Sequence, residues 1–425
     1  MTTSNTTDKD AYVWIWLLDA TEPVVAGKLE ADDQGNVQFN YGKSYLERIN
    51  ANPTAISIYE PELPLKKGVL PLLDGLTVPG CIRDSAPDAW GRRVIINKKL
   101  GRKGKDTDTE VLDELTYLLE SGSDRIGALD FQRSSSEYVP RSANNVPLEE
   151  LLQSAERVEQ GVPLTPDLDQ ALFHGSSIGG ARPKALIEDQ GAKYVAKFSS
   201  STDLYSVVKA EFIAMRLAAL AGINAAPVRL VQAAQKDILL IERFDREKNV
   251  KGWARKAMVS ALTLFGLDEM VARYASYETF AEIIRHRFDE PKETLKELFS
   301  RIVFNILCGN TDDHARNHTA FWNGKTLRLT PAYDICPQGR AGNEATQAML
   351  ISGDNRMSQL SSCIAAAHNF LLSLEEAQEI IEHQISVIEE NWTFVCDEAN
   401  LSQTDCALFW KHQFLNDFAF QGYRA

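Results

Sequence analysis

The stretch Asn310-Thr311-Asp312-Asp313-His314-Ala315-Arg316-Asn317, with Pro331-Ala332-Tyr333-Asp334-Ile335 downstream, decides how this 425-residue chain is read. An Asp with an Asn five residues on, and a second Asp one hairpin later, is the polar skeleton of a phosphoryl-transfer site. In such a site the first Asp, here Asp312, orients a substrate hydroxyl. Asn317 and Asp334 then hold Mg²⁺ against nucleotide phosphates.

Four further features lie upstream. Ser176-Ser177-Ile178-Gly179-Gly180-Ala181-Arg182-Pro183-Lys184 precedes an apolar strand. Its glycines let backbone N–H groups approach an anion, and Lys184 or Arg182 can add charge. It matches neither the Walker pattern nor GxGxxG, so taken alone a plain tight turn reads equally well. Next, Tyr194-Val195-Ala196-Lys197-Phe198 alternates, with Tyr194, Ala196 and Phe198 on one sheet face and Val195 and Lys197 on the other. A lysine on a central apolar strand needs an anionic partner, whereas on an edge strand it would simply meet water. Glu211 aligns with Val207, Ala214, Met215 and Ala218 at helical spacing, on an otherwise inward-facing stripe. Lys197 is its natural partner, because a strand lysine paired to a helix glutamate orients the α- and β-phosphates in kinases; a boundary position is the other reading. Finally, the apolar strand at 237–242 runs into Arg243-Phe244-Asp245-Arg246. A connector there could give an adenine its backbone hydrogen bonds and set Asp245 near the ribose, or it could be a strand end with solvated charges.

Composition is that of an ordinary globular protein, 44% hydrophobic and 24% charged, in a chain long enough for two lobes with a core each. The net charge of −14 argues against a surface that grips phosphate backbones throughout. Six cysteines without a CxxC pair read as reduced, mostly buried thiols of a cytosolic protein. The polar first ten residues lack a basic segment, and the apolar run 11–18 is too short to span a bilayer. The expected compartment is the cytoplasm, with no membrane partner.

Turn signals such as Asp32-Asp33-Gln34-Gly35-Asn36 divide residues 11–60 into short apolar runs, a β-rich pattern. Helical patterns follow at 86–100 and 109–119. Between them 91–105 holds seven basic residues and no acidic one, either a nucleic-acid contact or a solvated helix end. Residues 133–147 are rich in Ser, Asn and Pro and read as a connection. Strands dominate 185–244 around a helix at 204–221, and the rest is helical apart from a strand–turn–strand near 319–330. The helical tail 373–420 should complete the second lobe's core. The expected fold is α+β and two-lobed. An N-terminal β-rich subdomain (1–132) and the connection (133–147) lead into a mixed α/β lobe (148–250), followed by a helical lobe (251–425).

Gly loop, strand lysine, helix glutamate, connector, Asp…Asn and Asp stand in the chain order of a kinase, although HRD and DFG are missing and His314 follows the first Asp. With TDDHARN (311–317), LRLTPAYDI (327–335), SIGGARPK (177–184), LLIERFDR (239–246) and Ala210-Glu211, the chain resembles the HipA family of bacterial toxin serine/threonine kinases. Arg83-Asp84-Ser85-Ala86-Pro87-Asp88 and Gly122-Ser123-Asp124-Arg125-Ile126-Gly127-Ala128-Leu129 resemble that family's N-terminal subdomain. The resemblance implies a two-lobed kinase-like fold, ATP and Mg²⁺ as cofactors, and phosphorylation of a protein serine, in this family best known on aminoacyl-tRNA synthetases. By position Asp312 resembles the catalytic base, and Asn317 and Asp334 the metal ligands. The cofactor-binding set it implies is Lys197, Glu211, Glu242, Arg243, Phe244, Asp245, Ile178, Gly179, Gly180, Ala181, Lys184 and His314. Ser177, with Ser176 as an alternative, matches the loop serine where members autophosphorylate and switch themselves off. A helix-turn-helix antitoxin (HipB-like) that carries most of the DNA contact is the implied partner. Asp313 stands where a glycine is common in relatives, which places an extra charge beside the base. Rival readings are a small-molecule phosphotransferase, a phosphoesterase using Asp312, Asp313, His314 and His318 on a metal, and an inactive scaffold in a repressor complex.

Overall fold

The structure is a computed structural model that describes residues 8–100, 112–141, 146–160, 162, 182–200, 203, 205–339, 342 and 344–424. Its first sheet comprises β1 (Asp10–Ile15), β2 (Val24–Ala31), β3 (Val37–Tyr41), β4 (Val69–Leu70) and β5 (Leu129–Gln132), ordered β4-β3-β2-β1-β5. Every neighbouring pair is antiparallel. The period-2 pattern is plain in β3, where Val37, Phe39 and Tyr41 are buried and the residues between them are not. The β2–β3 turn forms where the sequence signals it: Asp32 Oδ1 accepts the N–H of Gln34 and of Asn36, both at 2.9 Å. Residues 133–141, expected to be a connection, are tied to this sheet instead. Tyr138 packs on Trp14 and Trp16 and donates its O–H to Asp130 at 3.0 Å. Their polar composition hid one aromatic anchor.

The second sheet holds β6 (Lys184–Asp189), β7 (Ala192–Phe198), β8 (Val228–Ala233) and β9 (Lys236–Glu242) in the order β6-β7-β9-β8, again antiparallel. Ala185, Ala196, Phe198, Ile238 and Leu240 turn one face toward Trp90, Leu151 and Leu152, on helices Ala89–Leu100 and Leu148–Glu159. Leu239 and Ile241 face the other way, into the cluster that includes Ala210, Ile213, Ala214 and Leu217 of helix Val207–Leu220. The alternation read at 194–198 is therefore the one the sheet adopts, with Lys197 on the helix 207–220 side.

Beyond β9 come a hairpin, β10 (Arg246–Asn249) and β11 (Gly252–Arg255), and a three-stranded sheet of β12 (Met258–Ser260), β13 (Thr319–Trp322) and β14 (Leu327–Leu329). The sequence anticipated the β13–β14 hairpin but not β10, β11 and β12, which at three to four residues are too short to show a period. Helices Tyr277–Arg287, Pro291–Leu307, Leu360–Ala366, Leu374–Glu398 and Gln403–Phe409 build the rest. Pro291–Leu307 starts with Pro at its first turn, where no N–H is needed, and buries Leu295, Leu298, Phe299, Ile302, Val303 and Ile306. Leu374–Glu398 opens on a capping box between Ser373 and Glu376 and packs against both Pro291–Leu307 and Val207–Leu220. The tail thus completes the core. In the basic run, Arg92 reaches Glu114 at 2.7 Å, and Lys99 reaches Glu120 at 3.2 Å. No helix among the described residues is long and apolar enough to cross a membrane.

Candidate active site

β7 delivers Lys197 to the helix side, and helix Val207–Leu220 delivers Glu211 to meet it: Lys197 Nζ donates to Glu211 Oε1 at 2.6 Å. The same ammonium is bonded to Asp334 Oδ1. Lys197 is 8% and Glu211 2% exposed, so neither charge is stable there alone. Burial pushes the Lys197 ammonium toward neutrality, but the Asp334 and Glu211 carboxylates outweigh it and hold its pKa above the usual lysine value. The same pairing, with help from Lys184, outweighs burial at Asp334 and holds its carboxyl well below the usual range. Glu211 moves up, because burial exceeds the pull of Lys197 and Asp334 adds repulsion. Asp334 also adopts φ of +59°, a left-handed backbone that costs a residue with a Cβ.

Lys184 sits directly across the β6–β7 ladder from Lys197 and is 4% exposed. Burial and the neighbouring Lys197 lower its pKa to about 8, against the pull of Asp334, Asp88 and Glu211. Two lysines side by side on one face call for anions opposite them.

The 310–317 loop leaves helix Pro291–Leu307 through Cys308 and Gly309. Asn310 Nδ2 donates to Asn305 Oδ1 at 2.9 Å, and Asn310 Oδ1 accepts the Asp312 N–H at 3.3 Å. The Asp312 carbonyl then accepts from His314 N–H at 2.9 Å and from Asn317 Nδ2 at 3.2 Å. Asp312 is exposed, while Asn317 is buried in the short turn Ala315–Asn317. Burial of part of the Asp312 carboxyl, then the charges of Asp334 and Asp313, raise its pKa despite His314. His314 thus lies close enough to act on both Asp312 and Asp334.

Asp313 corrects an expectation. Its carboxylate does not stand beside the base in the open; it is 3% exposed and bonded to Tyr277, Asn305 and His318. The phosphoesterase grouping is divided with it: Asp313 and His318 are buried and bonded to each other at 2.9 Å, while Asp312 is exposed.

The connector is also corrected in part. Phe244 sets its ring tilted against Tyr333, with centroids 5.7 Å apart, and edge-on to Phe321 at 6.0 Å. Asp245, expected near a ribose, is instead 2% exposed: it accepts from Arg243 Nη2 and Arg246 Nη1, both at 2.8 Å, and from the Gly127 N–H at 2.8 Å. Arg243 in turn reaches Asp124 at 3.0 Å and the Arg125 carbonyl at 2.7 Å. A charged strand end looks alike in sequence whether water or an N-terminal segment covers it. Glu242 ends β9 with its N–H on the Pro227 carbonyl at 2.9 Å. Ser176, Ser177, Ile178, Gly179, Gly180 and Ala181 lie outside the described residues.

Sequence reading missed how the N-terminal part meets the site. Arg316, inside the 310–317 loop, pairs with Asp88 at 2.5 Å and with Glu269 at 2.5 Å. Asp84 accepts from the Ser260 N–H and hydroxyl, both at 2.7 Å, and Tyr333 O–H donates to the Arg316 carbonyl at 2.7 Å. The motif at 83–88 was visible, but nothing local in it names a partner far along the chain.

Fold and site together define a two-lobed, kinase-like protein of the α+β class. Residues 176–392 match the HipA-like C-terminal domain and residues 19–132 the HipA N-terminal domain. The chain belongs to the HipA family. It is similar to the serine/threonine-protein kinase toxin HipA of Shewanella oneidensis, 26% identical over 37% of this chain and 42% of that one. It is also 24% identical to Y4mE of Sinorhizobium fredii, a protein named as a conjectured kinase, over 73% of this chain and 74% of that one. A solved complex of HipA, HipB and its operator DNA from Shewanella oneidensis shares the fold, with a TM-score of 0.70, 20% identity and coverage of 96% and 97%.

Proposed function

We propose that this chain is a kinase that uses ATP and Mg²⁺ to phosphorylate a protein serine. The observation that carries the reading is the joining of Lys197 to both Glu211 and Asp334 beside the loop of Asp312 and Asn317. A buried lysine held between a helix glutamate and a loop aspartate is the arrangement that orients nucleotide phosphates. Lys184 opposite it adds a second positive charge.

The residues present fit Mg²⁺. Asn317 commits its amide nitrogen to the Asp312 carbonyl, and its side-chain oxygen is the atom that would hold the ion. That oxygen and the Asp334 carboxylate are hard ligands of the kind Mg²⁺ takes alongside phosphate oxygens and water. When bound, the ion neutralises charge that develops on the phosphates. Asp312 accepts the proton of the substrate hydroxyl, and its raised pKa suits a base better than an ordinary carboxylate. The adenine lies against the connector Glu242 to Phe244, where the Phe244 backbone is left to bond it, because the N–H groups of Glu242 and Arg243 are spent on the Pro227 and Lys193 carbonyls. The loop serine Ser177 is the self-modified residue in this reading, and a phosphate there would compete with ATP for the same anion-binding groups.

The biological role that fits is a growth-inhibiting toxin held by a helix-turn-helix antitoxin. The HipA–HipB–operator complex of the structural neighbour supports such a partner, as does the net charge of −14, which leaves DNA contact to it. The test is mass spectrometry of the full chain after incubation with ATP and Mg²⁺. Phosphate on Ser177, lost in Ser177→Ala and on chelation of Mg²⁺, is expected. An unmodified wild-type chain that binds ATP but never turns it over would contradict the proposal.

A further inference from the structure

Two consecutive aspartates in the 310–317 loop point opposite ways. Asp312 is exposed, whereas Asp313 is buried and gathers donors from separate parts of the helical lobe. Its Oδ2 accepts from Asn305 Nδ2 at 2.8 Å and from His318 Nε2 at 2.9 Å, and also from the Tyr277 hydroxyl. Asn305 lies on helix Pro291–Leu307, Tyr277 opens helix Tyr277–Arg287, and His318 leads into β13. A carboxylate can only accept, so the ring nitrogen of His318 that meets it carries the proton.

The bonds close a circuit around the proposed base. Asn305 Oδ1 accepts from Asn310 Nδ2 at 2.9 Å, and Asn310 Oδ1 accepts the Asp312 N–H at 3.3 Å. One asparagine on a core helix therefore grips the loop on both sides of Asp312. The other donors are anchored as well. Tyr277 N–H donates to the Leu350 carbonyl at 2.9 Å, and the His318 carbonyl accepts from Ala261 N–H at 2.7 Å. The His318 ring sits edge-on to Tyr277 and Phe280, with centroids at 5.7 and 5.9 Å. A carboxylate withdrawn from water needs all its donors, so any rotation of the 312–313 peptide breaks the set.

We propose that Asp313 is a positioning residue for phosphoryl transfer. Its buried carboxylate fixes the loop so that Asp312 faces the substrate hydroxyl. This rests on the kinase reading above. Asp313 touches neither substrate nor nucleotide; it acts through the backbone it shares with Asp312.

The experiment compares the full-length wild type with Asp313→Asn and Tyr277→Phe, measuring kcat, KM for ATP and amide hydrogen exchange over residues 310–318. Misplacing a base while leaving the nucleotide site intact should lower kcat by ~10-fold or more in Asp313→Asn, with KM for ATP within about twofold of wild type. Tyr277→Phe, which removes one donor and keeps the ring, should give a smaller fall of the same kind. Both should speed exchange over 310–318 and leave the middle of helix Pro291–Leu307 protected. Unchanged kcat and exchange in folded Asp313→Asn would overturn the proposal; if that variant does not fold, the same result in Tyr277→Phe overturns it. Equal losses in kcat and in ATP binding would assign Asp313 a general structural role instead. The exchange readout holds even for a preparation that transfers no phosphate, so failure of the clamp and failure of the kinase reading are separable.

Discussion

Lys197 and Lys184 show what a polar residue in an apolar strand can disclose. Lys197 was legible because alternation fixed its face and burial demanded a carboxylate, which Glu211 supplies from an otherwise apolar helix stripe. Lys184 carries its own test, since its pKa is lowered to about 8. The lysine is charged below that pH and neutral above it, so in the proposed kinase site its pull on phosphates fades as pH rises through about 8. KM for ATP should therefore climb between pH 7 and 9 in the wild type and stay nearly flat in Lys184→Gln; parallel profiles would remove Lys184 from the phosphate site. Asp313 and Asp245 were not legible. Side-chain direction inside a loop has no period, and an acid at a strand end carries no mark of the segment that buries it. The sequence named Asp312, Asn317 and Asp334 because their spacing is local, while Arg316 with Asp88 had to await the fold.

At the scale of elements, the site is held by how its helices end and pack. Helix Pro291–Leu307 stops at Gly309, whose φ is +72° and where a Cβ would lie 2.7 Å from the Gln413 carbonyl oxygen. Only glycine fits both the backbone and the close approach. Gly309→Ala should cost about 1–3 kcal/mol, because strain and a backbone clash add. Its melting temperature, compared with that of Gly42→Ala, where φ is −66° and a Cβ would meet nothing closer than 3.7 Å, checks this; an unchanged value at 309 would contradict it. Helix Val207–Leu220 is fixed from behind by the C-terminal part: Arg216 pairs with Glu398 at 2.9 Å and Lys209 donates to the Asn400 carbonyl at 2.7 Å. Periodicity gave this helix at 204–221, close to its observed span, because apolar residues cover most of its surface. The short arms of the β10–β11 hairpin escaped because they carry no period, and β12 escaped because pairing with the distant β13 rather than propensity makes it a strand.

Across the whole molecule, the N-terminal part is bound to the connector by a buried ionic cluster. Arg243, Asp245 and Arg246 meet Asp124 and the Arg125 and Gly127 backbone, while Arg125 and Arg141 share Asp130. Burial alone would raise these carboxyls, yet the arginines outweigh it and hold Asp124, Asp130 and Asp245 below the usual range. Their folded pKa values lie under the unfolded one, so the stability they contribute is full above pH ~4 and is lost as pH falls below it. Melting temperature should thus hold from pH 7 to about 5 and drop steeply under pH ~4. Asp245→Asn, which leaves buried guanidinium groups underpaired, should cost about 3–5 kcal/mol at neutral pH and make the acid decline shallower. A variant as stable as wild type would show that the cluster does not join the two parts.

Catalysis of phosphoryl transfer by Asp312, beside the Lys197–Glu211–Asp334 constellation, is the proposal on which the other site roles depend. The most direct measurement is the rate of label transfer from ATP and Mg²⁺ by the purified full-length chain, wild type beside Asp312→Asn. Loss of a positioned base predicts a fall of about 10²–10⁴-fold while ATP still binds. Equal rates in the two proteins would remove Asp312 as the base.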